Sequence, residues 1–319
     1  MAAAVLGCGG FGTRVGARPA PAPSAPAARS LTGVWTNAWY TRLERPKALK
    51  SLVVTAEDAE AFEAPRRAMG GGIAGPEDVV GQATSEFPEN GPGLARIRGE
   101  IRSSWIIDPP DGKIPWSAEA RARLGLDKRP VEDFDNVEAR PTEERCLTAA
   151  GAGAPILNSY DGNIVQIVQT PDSVVIVSEK NHDARIVRLG DGPRPPAAAG
   201  VFGWMGASVG RWDGATLVVE TTGLRPGVTR FGNGLLLSDR SRVVERFTRT
   251  SPTEIHYLFE VEDPTLFTRP WRAEMVFRPA AGRLYEYACH EGNYSLPSIL
   301  SAARQGNQDP PAGPANGAN

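Results

Sequence analysis

Three cysteines and three histidines in 319 residues leave few thiolate or imidazole groups from which to build a reactive centre. No apolar run approaches the roughly 18–20 residues that a bilayer span requires, so no transmembrane segment is expected. Charge of one sign is not in excess either. Lys plus Arg number 35 and Asp plus Glu 37, and the net charge of −2 excludes a basic protein that holds nucleic acid by general electrostatics. What is present is material for a sizeable core: 41% hydrophobic and 23% charged residues exclude collagenous, coiled-coil and wholly disordered chains. Glycine (35) and proline (28) make the chain turn-rich without making it low-complexity.

Residues 1–30 are rich in Ala, Gly and Pro, contain no acidic residue and read as a leader and linker. Val5-Leu6-Gly7-Cys8 looks like a lipoprotein cleavage box, with Cys8 as lipid acceptor, although no basic residue precedes it and the apolar stretch is short. The expectation is a truncated export signal, a possible lipid tether at Cys8 and an extracytoplasmic address. Gly7-x-Gly9-x-x-Gly12 is formally a dinucleotide fingerprint, but Pro19, Pro21 and Pro23 follow where the phosphate-binding helix would start. Beyond the leader, Cys146 and Cys289 form an even pair. They either close a long loop as a disulfide or stand as two unrelated buried thiols.

From residue 163 onward, β-branched runs recur at spacings near ten residues with a turn signal after each. Strands are expected over residues 163–169, 173–179, 184–189, 208–212, 215–221, 242–249, 254–262, 271–278 and 283–289. Asp213-Gly214 is the strongest hairpin signal. A first strand is expected at residues 31–35. Helices are expected over 56–68, broken at Pro65, from the cap Ser117 to Leu124, and over 296–304. The fold expectation is therefore mainly β: an antiparallel meander closing as a lipocalin-like barrel or twisted sandwich, with short peripheral helices. One β-rich domain is assigned to residues 31–304, followed by a disordered tail at 305–319.

Several segments carry a family resemblance. They are Glu144-Arg145-Cys146-Leu147, residues 164–170, Trp204-Met205-Gly206 with Ser208, GRWDGxTLVVET at 210–221, Glu245-Arg246-Phe247, VEDPxxxTRPW at 261–271 and EYxCxEGNY at 286–294. With these the chain resembles, over roughly residues 31–304, a large group of bacterial proteins found in proteobacteria and acidobacteria and read as exported. The resemblance implies export and pairing of the two late cysteines, and it implies no reaction. Gly33-x-Trp35 on the first strand is also similar to the signature of the first lipocalin strand.

Candidate chemistry concentrates on the 254–262 strand. Ile255, Tyr257, Phe259 and Val261 share one face; His256, Leu258, Glu260 and Glu262 share the other. Were the polar face interior, His256, Glu260 and Glu262, joined by His290, would supply general acid–base groups. Were it exterior, the same charges would be a solvated wall. Trp204, Trp212, Trp271, Tyr287 and Tyr294, with Arg246, Arg272 and Glu291, are the candidate ligand-binding residues. Gly206-x-Ser208-x-Gly210 matches a hydrolase elbow in letters only, since a strand rather than a helix follows. No H-x-H or H-x-x-x-H spacing supports a metal, and neither metal nor cofactor is expected. The leading expectation is an exported barrel that binds a small, partly apolar molecule. An acid–base lyase, isomerase or hydrolase on the same scaffold is the second, and a structural envelope protein without a pocket the third.

Overall fold

A computed structural model describes residues 29–68, 91–126, 134, 136–148, 151–159, 161–190, 203–225 and 235–306. The leader with Cys8 and its glycine fingerprint, and the tail beyond residue 306, lie outside them. Nine strands form a closed barrel: β1 (Gly33–Thr36), β6 (Ile164–Gln169), β7 (Ser173–Ser178), β8 (Ala184–Leu189), β9 (Ala207–Asp213), β10 (Thr216–Thr222), β11 (Arg242–Ser251), β12 (Glu254–Glu262) and β13 (Trp271–Pro279). Closure is made by β1, which pairs antiparallel with β6 and again with β13, Trp35 lying opposite Val165 on one side and Pro279 on the other. Arg249 of β11 reaches β1, its guanidinium 5.2 Å from the Trp35 ring and its Nη1 donating to the Ser30 carbonyl at 2.9 Å. This cation–π contact links β11 to β1.

Most pairings are antiparallel hairpins, as the turn signals require. Asp213 and Thr216 face each other across a two-residue turn in which Gly214 takes φ 58°. One seam departs from the expected meander: β8 and β9 run parallel, Val187 opposite Ser208 and Leu189 opposite Gly210. The two strands approach closely there. A Cβ on Gly210 would stand 2.7 Å from Val187 Cγ1. The barrel is thus mixed.

The expected strand at 283–289 is absent. Residues 283–288 are non-repetitive and Cys289 begins a short helix, α3 (Cys289–Gly292). The reason is that β13 has no free edge. β12 occupies one side, and β1 and β5 (Ile106–Asp108) divide the other.

A small sheet of β2 (Val53–Val54), β4 (Glu100–Arg102) and β3 (Arg96–Ile97) covers part of the outer wall, with α1 (Ala56–Ala68). Thr55 caps α1, accepting from the Asp58 amide at 3.1 Å, and Pro65 lies inside the helix rather than breaking it. Tyr40, Leu49, Val54, Ala59, Phe62, Leu94 and Ile101 form a satellite core under this unit. Ser117 caps α2 (Ala118–Leu124), as the sequence predicts, and Gly125 ends it in the left-handed conformation. The last described element is α4 (Ser295–Gly306).

The barrel interior is filled. Ile255, Tyr257, Phe259 and Val261 of β12 are fully buried, and Tyr257 stacks among Phe247, Phe259 and Phe277 at ring separations of 4.7–5.6 Å. The apolar face of β12 is therefore the inner one, because the barrel wall places alternate residues inside and their burial is what stabilises closure.

Candidate functional site

That orientation removes the interior acid–base site. His256, Glu260 and Glu262 face outward. Glu260 lies opposite Arg272, and Glu262 meets Arg242 at 3.8 Å, both as cross-strand pairs on the outer wall. His256 instead bonds Glu274 Oε2 at 3.1 Å, beneath the small sheet. Arg102 Nε donates to the other oxygen at 2.9 Å and its Nη1 to Glu100 at 2.6 Å. Burial opposes the Glu274 charge, but the bonds from His256 and Arg102 outweigh it and hold this carboxyl below its ordinary range. The cluster is an ionic seal between barrel and satellite sheet.

Inside the barrel the sequence reasoning missed a polar group. Arg185 of β8 and Glu245 of β11 are buried and paired through both guanidinium nitrogens, the Nη2–Oε1 bond measuring 2.9 Å. Tyr257 donates to Glu245 Oε1 at 2.7 Å and accepts from the Ile156 amide at 2.9 Å. Burial and then the Glu245 carboxylate push the phenol well above its ordinary pKa. For Arg185, burial works against the charge, but Glu245 overcomes it and the guanidinium pKa is raised. This triad ties β8, β11 and β12 together across the barrel interior.

The other expected binding residues are scattered. Trp271 is a core residue, and Trp212 packs against the core's edge. Trp204 carries Arg225 over its ring at 4.6 Å. Arg246 is exposed on the barrel wall. Arg272 and Arg269 both bond Asp108, at 3.3 and 2.6 Å. Ser208 lies within β9 and shares a hydrogen bond of 2.8 Å with Thr221, so no nucleophile elbow exists. Asp263, at the start of the Pro264 loop, accepts from Ser238 and Thr265 and staples the loop. His290, Glu291 and Tyr294 are exposed on the C-terminal segment, and Tyr287 alone among the candidates lines a cleft.

That cleft, of about 390 Å³, has a mixed polar and apolar lining and lies beside the Cys146–Cys289 disulfide, whose Cα atoms are 5.7 Å apart. One wall is Glu143, Glu144 and Lys180; the other is Tyr287, Ala288, Cys289, Gly292, Asn293 and Ser295. Lys180 is buried to 1% exposure on a 3-10 turn after β7, bonded to Asp161 at 2.6 Å and paired with Glu143. Its stem fits because residue 162 is glycine: a Cβ there would lie 2.7 Å from Lys180 Cβ, and φ at Gly162 is +64°. Glu144 is held by Arg140 through two bonds, at 2.8 and 2.9 Å. Burial raises the Tyr287 pKa, with Lys180 opposing the rise and Asp161 and Glu143 adding to it, so the phenol keeps its proton as a donor.

Backbone strain gathers at the same place. Of the four non-glycine residues with left-handed φ among the described residues, three flank this cleft: Cys146 (53°), Asn181 (57°) and His182 (43°). Such conformations cost of order 1–3 kcal/mol each and are retained where surrounding structure imposes them, frequently at functional sites. Asn181 is also buried with neither side-chain atom hydrogen-bonded among the described residues. The signal for this site was in the sequence, since residues 144–147 and 286–294 were both singled out. Their meeting with Lys180 was not.

No group of three His, Cys, Asp or Glu suited to a metal ion occurs among the described residues, and no described helix is long and apolar enough to cross a membrane. Fold and site define the molecule as a filled, mixed nine-stranded barrel with a cleft beside its disulfide. Comparison with protein-family models, curated proteins and solved structures returns no match.

Proposed function

We propose that the protein is an extracytoplasmic small-molecule-binding protein whose site is the cleft beside the disulfide rather than the barrel interior. The observation that carries this reading is the convergence of a buried lysine, two glutamates, a half-buried tyrosine and three strained backbone positions on one concavity. Glu143, Glu144 and Lys180 line one wall with acceptors and a donor, the Tyr287, Asn293 and Ser295 side chains of the other wall each donate and accept, and the Tyr287 ring and Ala288 methyl supply an apolar side. A hydroxyl both donates and accepts, so a small hydroxyl-bearing molecule with one apolar face is the ligand class that satisfies this lining. The disulfide supports an oxidising compartment.

The test is a native mass spectrum of the full chain, expressed with a working export signal, beside Gly292→Trp. Gly292 lines the cleft and a Cβ there meets nothing within 4 Å, so an indole can be introduced at the cleft's rim without a clash at its root. An organic adduct, or a titration response to glucose or N-acetylglucosamine, is expected in the wild type and lost in Gly292→Trp. Binding that survives Gly292→Trp, or no binding in the wild type, overturns the assignment.

A further inference from the structure

The wall of the cleft that carries Tyr287 and Asn293 belongs to a C-terminal strap, residues 280–306. None of residues 280–305 is buried, so the strap contributes no side chain to either core. Among the described residues its hydrogen bonds to the barrel body include the Ala280 amide to the Val34 carbonyl at 3.0 Å where the strap leaves β13, the Tyr285 amide to Glu179 Oε2 at 2.9 Å, and Asn293 Nδ2 to the Glu144 carbonyl at 2.7 Å and toward Cys146 Sγ at 3.4 Å. The covalent tie is Cys289 to Cys146. The opposite wall, by contrast, is fixed independently of the strap by the Arg140–Glu144, Lys180–Glu143 and Lys180–Asp161 pairs. Deep burial and dense hydrogen bonding are what raise the free energy of local opening, and the strap has little of either.

We propose that the Cys146–Cys289 bridge is a redox latch: it holds the strap against the barrel, and its reduction opens the cleft while the barrel stays folded. The functional consequence rests on the cleft being the binding site; the latch itself does not. In the opening step a thiolate of an external dithiol attacks Cys289 Sγ, on the more exposed of the two residues. A mixed disulfide forms as the Cys146 thiolate leaves and takes a proton. The second thiolate of the dithiol then displaces Cys289, so two electrons and two protons convert the bridge to two thiols and the dithiol to its cyclic disulfide.

Hydrogen-exchange mass spectrometry on the full chain tests this without any ligand. Three samples are compared: oxidised protein, protein reduced with dithiothreitol, and Cys289→Ser. Peptides over 283–306 should exchange roughly tenfold faster or more in the second and third samples, with β10–β13 still protected against exchange. Unchanged exchange in the strap shows that non-covalent contacts hold it and overturns the latch. Loss of protection in β10–β13 also overturns it, because the bridge then maintains the whole fold. A latch that opens as expected in a protein that binds neither sugar probe would sink the ligand reading and leave the latch standing.

Discussion

Glu245 shows what a single residue can disclose. On β11 it shares a face with Val243 and Phe247, and a lone carboxylate among apolar neighbours must find a buried partner. Its partner could not be read, because Arg185 lies 60 positions away on a strand whose two faces each carry one arginine. Glu245→Ala should lower the unfolding free energy by about 3–5 kcal/mol, measured by urea denaturation, since it strands a buried guanidinium. Replacing the pair together, Arg185→Met with Glu245→Leu, should cost much less; an equal loss would show that the triad is more than a compensated charge pair. Glu274 gives a pH signature. Its folded pKa is depressed, so its contribution is fully present above the ordinary value of 4.5 and is lost as pH falls through the folded value. In His256→Gln the carboxyl should titrate closer to 4.5 by NMR, and an unchanged value would assign the depression to Arg102 alone.

At the scale of elements, the hairpins were legible because turn chemistry is local: Asp213-Gly214 and the Ser117 cap stand where their letters place them. The direction of β9 was not legible. Alternation reports faces, and a parallel and an antiparallel neighbour leave the same pattern. Likewise residues 283–289 alternate like a strand, yet a strand also needs an open edge, and β13 had none to offer. The β8–β9 seam depends on Gly210, where any side chain meets Val187. Gly210→Val should destabilise the protein by about 1–3 kcal/mol. The increase in exchange should concentrate in β8 and β9; a change confined elsewhere would mean that closure does not run through this contact.

For the whole molecule, the bridge spans 143 positions, and a cross-link over so long a loop restrains the unfolded chain strongly. Cys146→Ser with Cys289→Ser should lower stability by about 2–4 kcal/mol while the β-sheet circular dichroism of the folded protein is retained. Loss of that spectrum would show that the barrel core does not stand alone. The sequence by itself determined the class of fold, most of the hairpins and the two cysteine-bearing segments, because patterning, turns and motif letters act over a few residues. Only the tertiary structure decided which face of β12 is inside, which charges pair across the barrel, and that Lys180 meets the disulfide. Those outcomes depend on closure, which brings together residues whose separation along the chain carries no trace of their contact.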